Sequence, residues 1–114
     1  MRESLVEGAG VKHAERRGWA VYKWAAPGSK GIHDRLHFKN GVSFSIEYKA
    51  TGKRATPKQR AEAVRLKSKG IPCRCIDNVQ DARDFINVMT EVAAQDNPAL
   101  DIAVLSNDIR SFRP

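Results

Sequence analysis

From residue 42 to residue 49 the chain alternates between apolar and polar side chains, with Val42, Phe44, Ile46 and Tyr48 set against Ser43, Ser45, Glu47 and Lys49. A period of two sends successive side chains to opposite faces, so this stretch predicts a half-buried strand with Glu47 and Lys49 on its polar face. Asn40-Gly41 stands immediately before it. That pair favours a two-residue type I′ turn, in which both positions need positive φ, and it makes residues 34–39 the partner strand of a hairpin. Elsewhere the period lengthens to that of a helix. Leu5, Val6, Ala9 and His13 outline a helical face between Arg2 and Arg17, with Gly18 as its stop. Gly8 and Gly10 inside it each cost up to about 1 kcal/mol, so packing must hold this helix. Ala20 to Trp24 predicts a short strand, and Pro27-Gly28-Ser29-Lys30-Gly31 a loop that could pass close to a phosphate.

After Thr51-Gly52, Thr56 and Gln59 have the spacing of a capping box, with Pro57 at the first helical position. The helix that follows shows Ala61, Val64 and Leu66 as its expected buried side and ends at Gly70. Ile71 to Ile76 predicts a fourth strand. A last helix starts near Val79, with Ala82, Phe85, Ile86, Met89, Val92 and Ala93 on one face, and Asn97-Pro98 stops it. The resulting order is α-β-β-β-α-β-α, an α/β chain of 114 residues with 41% hydrophobic content, which suits one core. We expect a single domain over residues 1–96 and a tail over 97–114, whose apolar patch Leu100 to Leu105 could join the core or meet another subunit.

Composition narrows the partners. No run approaches the roughly 18 apolar residues of a membrane span, and the start of the chain is too charged for a secretory core, so a soluble, cytoplasmic protein is expected. Cys73 and Cys75 supply only half of a four-thiolate zinc site and are read as two small buried residues of a strand. Twenty Lys and Arg against thirteen Asp and Glu give a net charge of +7, which favours an anionic partner. Lys49, Lys53, Arg54, Lys58 and Arg60 crowd beside the polar strand face. Carboxylates and cations in one place suit phosphate chemistry on a polyanion.

If Asn40 and Gly41 form the turn, Lys39 faces Val42 and Asp34 faces Glu47. Opposed carboxylates with Cβ atoms about 4.5–5.5 Å apart repel each other unless a cation lies between them. A divalent ion such as Mg²⁺ or Mn²⁺ would serve, with Lys49 emerging alongside. Leu36 and Phe38 share the nominal face of Asp34, against Ser45 and Ser43, so the two strands disagree in polarity. A β-bulge or a short first strand could reconcile them. On spacing alone, a solvated hairpin and a metal site both stand.

Taken in order, Gly31-Ile32-His33-Asp34-Arg35-Leu36, Ile46-Glu47-Tyr48-Lys49-Ala50 and Thr56-Pro57-Lys58-Gln59 resemble the VRR-NUC domain, the virus-type replication-repair nuclease branch of the PD-(D/E)XK superfamily. The resemblance runs from about Arg2 to Phe85. It implies a restriction-endonuclease-like core, a mixed sheet of about four strands flanked by helices. It also implies Asp34, Glu47 and the Tyr48 backbone carbonyl as metal ligands, Lys49 as the residue that positions the nucleophile, and Gln59 as a catalytic glutamine. Glu3 resembles the family's acidic residue on the first helix, reaching the metal directly or through water, with Glu7 as its competitor. His33 stands where the family usually has proline, a change expected to affect rigidity more than chemistry. His13 and His37 are read as packing or surface residues.

The expected function is a Mg²⁺- or Mn²⁺-dependent endodeoxyribonuclease acting on branched DNA such as a four-way junction. By the resemblance it would be a homodimer similar to Holliday junction resolvases, working in a bacterial or phage-infected cell. Lys23, Lys30, Lys53, Arg54, Lys58 and Arg60 are the expected phosphate contacts. Two alternatives remain: a non-catalytic basic DNA-binding module with the same fold, and a nuclease of flap, duplex or single-stranded DNA.

Overall fold

A computed structural model describes residues 1–24 and 35–95. Its elements follow the expected order: α1 (Glu3–Arg16), β1 (Ala20–Lys23), β2 (Arg35–Lys39), β3 (Val42–Tyr48), α2 (Pro57–Ser68), β4 (Cys73–Ile76) and α3 (Val79–Ala94). The strands form one sheet in the order β1-β2-β3-β4, antiparallel except for the parallel β3–β4 pair, which needs the α2 crossover. The mixed four-stranded sheet with flanking helices is the restriction-endonuclease-like core expected above. The predicted tail, the Asn97-Pro98 stop, the loop Pro27 to Gly31, His33 and Asp34 lie outside the described residues.

The hairpin adopts the register that the turn dictates. Asn40 and Gly41 have φ of 51° and 77°, Lys39 pairs with Val42, and the ladder continues without slip to Arg35 against Ile46. No bulge interrupts it, so the polarity conflict between the strands is resolved differently. Leu36 is half-buried, and Phe38 stays 45% exposed with its ring edge-on to Tyr22 at 5.9 Å.

The opposite face of the sheet carries the core. Phe44, Ile46 and Tyr48 are fully buried against Val6 and Ala14 of α1 and Ala82, Ile86, Met89 and Ala93 of α3. In α1 the buried line is Val6, Gly10 and Ala14, one position round from the expected face, and Leu5 is exposed. The glycine explains the rotation. A Cβ on Gly10 would lie 2.7 Å from Tyr48 Cζ, so only a bare backbone lets the helix pass over that ring. His37, opposite Phe44, is fully buried and stacks on its ring at 4.1 Å, with Nδ1 3.3 Å from the Phe44 carbonyl. Burial lowers its pKa to about 4, so the ring is neutral and Nδ1–H is the donor to that carbonyl. His13 bonds Asn87 at 2.8 Å and Trp19 donates to Thr90 at 2.9 Å, tying the N-terminal elements to α3.

Two expectations are corrected. Helix α2 has no buried residue: Ala61 and Val64 face solvent, and the half-buried line is Gln59, Glu62, Ala63 and Leu66. The apolar residues were read one step off because this helix lies over a polar strand face and not over the core. Cys73 is buried as expected, but Cys75, two residues on along the same face and paired with Glu47, is exposed.

Candidate active site

Glu47 is the penultimate residue of β3, paired in register with Cys75 of β4, and is only 4% exposed. A carboxylate so deep keeps its charge only if polar partners replace water. Two are in place: Gln59 Nε2 donates to Glu47 Oε1 at 2.6 Å, and Lys49 Nζ lies 3.4 Å from the same oxygen. Strand alternation delivers the ammonium, because residues 47 and 49 share a face at the strand end. Lys49 is held there by its backbone N–H, which donates to the Ile76 carbonyl at 2.9 Å. Helix capping delivers the amide. The Gln59 N–H donates to Thr56 Oγ1 at 3.1 Å and Gln59 Oε1 accepts from the Thr56 N–H at 2.9 Å, which leaves Nε2 to reach the strand. The capping role and the reach to Glu47 therefore coexist in one side chain.

Along β3 the N–H groups of Ser45 and Lys49 both point to the β4 side. Backbone direction alternates along a strand, so the Tyr48 carbonyl is turned to the β2 side, beside Glu47. The Tyr48 ring goes to the opposite face and is buried beneath α1, with its hydroxyl pKa raised first by burial and next by the negative field of Glu7. Glu7 is itself paired with Arg35 at 3.1 Å on that core face. Glu3 is exposed in the first turn of α1, whose start lies against the turn after β3, where the Thr51 N–H donates to the Met1 carbonyl at 3.0 Å. Of the two acids, Glu3 therefore stands at the same end of the fold as Lys49, and Glu7 is held by Arg35.

Lys23, Lys53, Arg54, Lys58 and Arg60 are all exposed, whereas Lys30, like Asp34, lies outside the described residues. The basic turn is anchored rather than loose. Asp77 accepts from the Gly52 N–H at 2.9 Å and its carbonyl accepts from Thr51 Oγ1 at 2.9 Å. The Gly52 N–H bond holds the Asp77 carboxyl below its usual range, helped by Asn78. Neither Asp77 nor Cys75 stood out in the sequence. Alternation within β4 puts Cys73 and Cys75 on one face, and only the parallel pairing with β3 identifies it as the Glu47 face. The Cys75 thiol pKa is raised mainly by partial burial, against the pull of Lys49, so it is not an activated thiolate. Among the described residues, no three of His, Cys, Asp and Glu gather as a metal cluster.

No family model matches the chain. It is 37% identical over 67 residues to "Putative nuclease p44" of Acyrthosiphon pisum secondary endosymbiont phage 1, a match covering 58% of this chain and 72% of that protein. Its fold is similar to a solved structure described as a VRR_NUC domain, with a TM-score of 0.68 at 23% identity over 75% of this chain and 94% of the other. The relative and the shared fold together place the protein: the chain belongs to the family of that phage protein and has the fold of a VRR-NUC domain.

Proposed function

We propose that this protein is a divalent-metal-dependent DNA endonuclease whose reaction centre is built on Glu47, Lys49 and Gln59. The carrying observation is the buried Glu47 carboxylate held between the Gln59 amide and the Lys49 ammonium at the end of β3. A carboxylate oxygen and a backbone carbonyl are hard donors, and Mg²⁺ or Mn²⁺ takes one or two carboxylates together with water and phosphate oxygens, so the residues suit such an ion. Asp34 is assigned as the second carboxylate on the sequence alone: it precedes Arg35, whose partner Ile46 precedes Glu47. When bound, the cation would lower the pKa of a coordinated water and stabilise charge on the phosphoryl oxygens.

The chain's own groups do the rest. Glu47 and Asp34 hold the site's negative charge toward the scissile phosphate's counter-ion, with the Tyr48 carbonyl beside them and Glu3 acting through water. Gln59 fixes the rotamer of Glu47. Lys49 donates a hydrogen bond to the attacking water and offsets charge gained by the phosphate. Lys23, Lys30, Lys53, Arg54, Lys58 and Arg60 bind phosphates without reading sequence, so shape decides the substrate. We assign that substrate as branched DNA, cut by a homodimer whose two-fold axis presents two equivalent centres to symmetric strands. In this reading residues 1–96 form the nuclease unit, residues 97–114 contribute to the dimer contact, and the protein acts in the cytoplasm of a bacterial or phage-infected cell.

The test is a labelled four-way junction incubated with the protein and Mn²⁺, beside flap, duplex and single-stranded controls. Paired, symmetric cuts that vanish with EDTA, Glu47→Gln or Lys49→Ala are expected, with junction binding retained. Binding without any metal-dependent cutting would make the protein a DNA-binding module instead, and cutting of flaps in preference to junctions would overturn the branched-DNA assignment.

A further inference from the structure

A second feature shares the Glu47 face of the sheet. Trp24, Leu36, Ser45, Glu62, Arg65, Leu66 and Ile71 enclose a cleft of about 280 Å³ between the sheet and α2. Its walls are apolar and Trp24 remains 44% exposed at its side. At its floor Ser45 is fully buried, yet its Oγ has no hydrogen-bond partner among the described residues. A buried hydroxyl without a partner is costly, and here it lines an open cleft. Glu62 and Arg65 stand at the rim, paired with each other at 3.4 Å and, for Arg65, largely exposed.

We propose that this cleft takes one unstacked nucleobase of the DNA strand whose phosphate reaches Glu47. The inference rests on the DNA reading above and specifies how the strand is held. Ser45 and Glu47 share a face two residues apart, about 7 Å along β3, a distance on the scale of one nucleotide. The space is small for a drug-sized ligand and suits a single planar heterocycle. A base offers what the lining lacks: a flat π-face for Trp24 and an edge of donors and acceptors for the Ser45 hydroxyl and the Glu62 carboxylate. Arg65 is released to the neighbouring phosphate. An aliphatic side chain from another protein would fill the same volume but leave Ser45 Oγ unpaired, and the chain's charge of +7 favours a polyanion. Tyr22 and Phe38 extend the exposed aromatic surface beyond the cleft on this face.

The test uses the full chain, Ca²⁺ in place of Mn²⁺, and junctions carrying 5-iodouracil at one position at a time around the cleavage point. Irradiation should attach one position to Trp24, identified by peptide mass spectrometry. Ser45→Leu, which plugs the floor, should cut that yield by roughly tenfold at saturating protein while junction affinity falls by about fivefold, the low end of what one lost stacking contact costs. Cross-links that appear only elsewhere, or a Trp24 yield unchanged by Ser45→Leu, would overturn the pocket. A parallel Mn²⁺ reaction separates the two readings. Cutting without a Trp24 cross-link sinks the pocket alone, a Trp24 cross-link without cutting sinks the hydrolytic reading alone, and failure to bind DNA sinks both.

Discussion

At Gln59 the amide oxygen accepts from the Thr56 N–H at 2.9 Å while the amide nitrogen donates to Glu47 Oε1 at 2.6 Å, so stability and site geometry share one side chain. Two substitutions separate these effects. Thr56→Ala removes the cap alone and should cost about 1 kcal/mol of stability, leaving metal-dependent cleavage within a few-fold of wild type. Gln59→Ala removes the cap partner and also strips a donor from a buried carboxylate, so it should lower both the urea midpoint and kcat/KM, the latter by roughly tenfold or more. Equal effects of the two on cleavage would show that Gln59 acts only through the helix. His37 supplies a second residue-scale prediction. Its pKa is depressed to about 4 from the ordinary 6.5 of a free imidazole, so between those values the unfolded chain takes up a proton that the native protein refuses. Its stabilising effect is therefore complete above about pH 6.5 and is lost as pH falls toward 4, by on the order of 3 kcal/mol. Urea midpoints at pH 7 and pH 4.5 should diverge in the wild type, and His37→Leu should flatten that part of the slope.

Between elements, the decisive contact is α1 crossing the Tyr48 ring at Gly10. Both glycines of this helix are poor helix formers, and their surroundings differ: a Cβ on Gly8 meets nothing within 4 Å, while one on Gly10 would strike Tyr48. Gly8→Ala should therefore stabilise the protein by up to about 1 kcal/mol. Gly10→Ala gains the same propensity but must displace the helix or the ring, and a net loss of about 1–3 kcal/mol is expected. Thermal or urea denaturation of the pair checks both signs. Periodicity made α1 visible from the sequence but not its rotation, because a glycine that is buried by a neighbour's ring reads as a gap in the pattern. The same limit applies to α2, where Gln59, Glu62, Ala63 and Leu66 face inward although Val64 is the more apolar residue. Helical faces are inferred by assuming a hydrophobic core beneath, and α2 covers Glu47. The hairpin was legible because Asn40-Gly41 fixes its own register by local φ, without help from packing. Lys49 and Glu47 followed from that register, whereas Cys75 required knowing that β4 lies parallel to β3.

Over the whole molecule the two faces of one sheet divide the work. Phe44, Ile46 and Tyr48 anchor α1 and α3 on one side, and Ser45, Glu47 and Lys49 meet α2 on the other, so the same eight-residue alternation supports both the core and the polar face of the candidate site. Beside that face the turn after β3 carries Lys53 and Arg54, both exposed, with the backbone of Gly52 pinned to Asp77. Anchoring lets two cations on a short turn hold a fixed position against a phosphate backbone without a large ordering cost. Each phosphate neutralised on duplex DNA contributes about −0.9 to the slope of log K against log salt, through release of condensed counterions. Replacing Lys53 and Arg54 together with alanine should therefore flatten that slope by about 2, and should weaken binding to junctions of different sequence by similar factors. Asp77→Ala keeps the same cations and so should leave the slope nearly unchanged, but should lower affinity at every salt concentration in spite of the negative charge removed near Arg54, because the cations lose their fixed position. A salt titration of fluorescence anisotropy on two unrelated junction sequences reads both quantities. A slope unaltered by the double substitution would place the DNA backbone away from this turn and would move the electrostatic contact to another part of the basic surface.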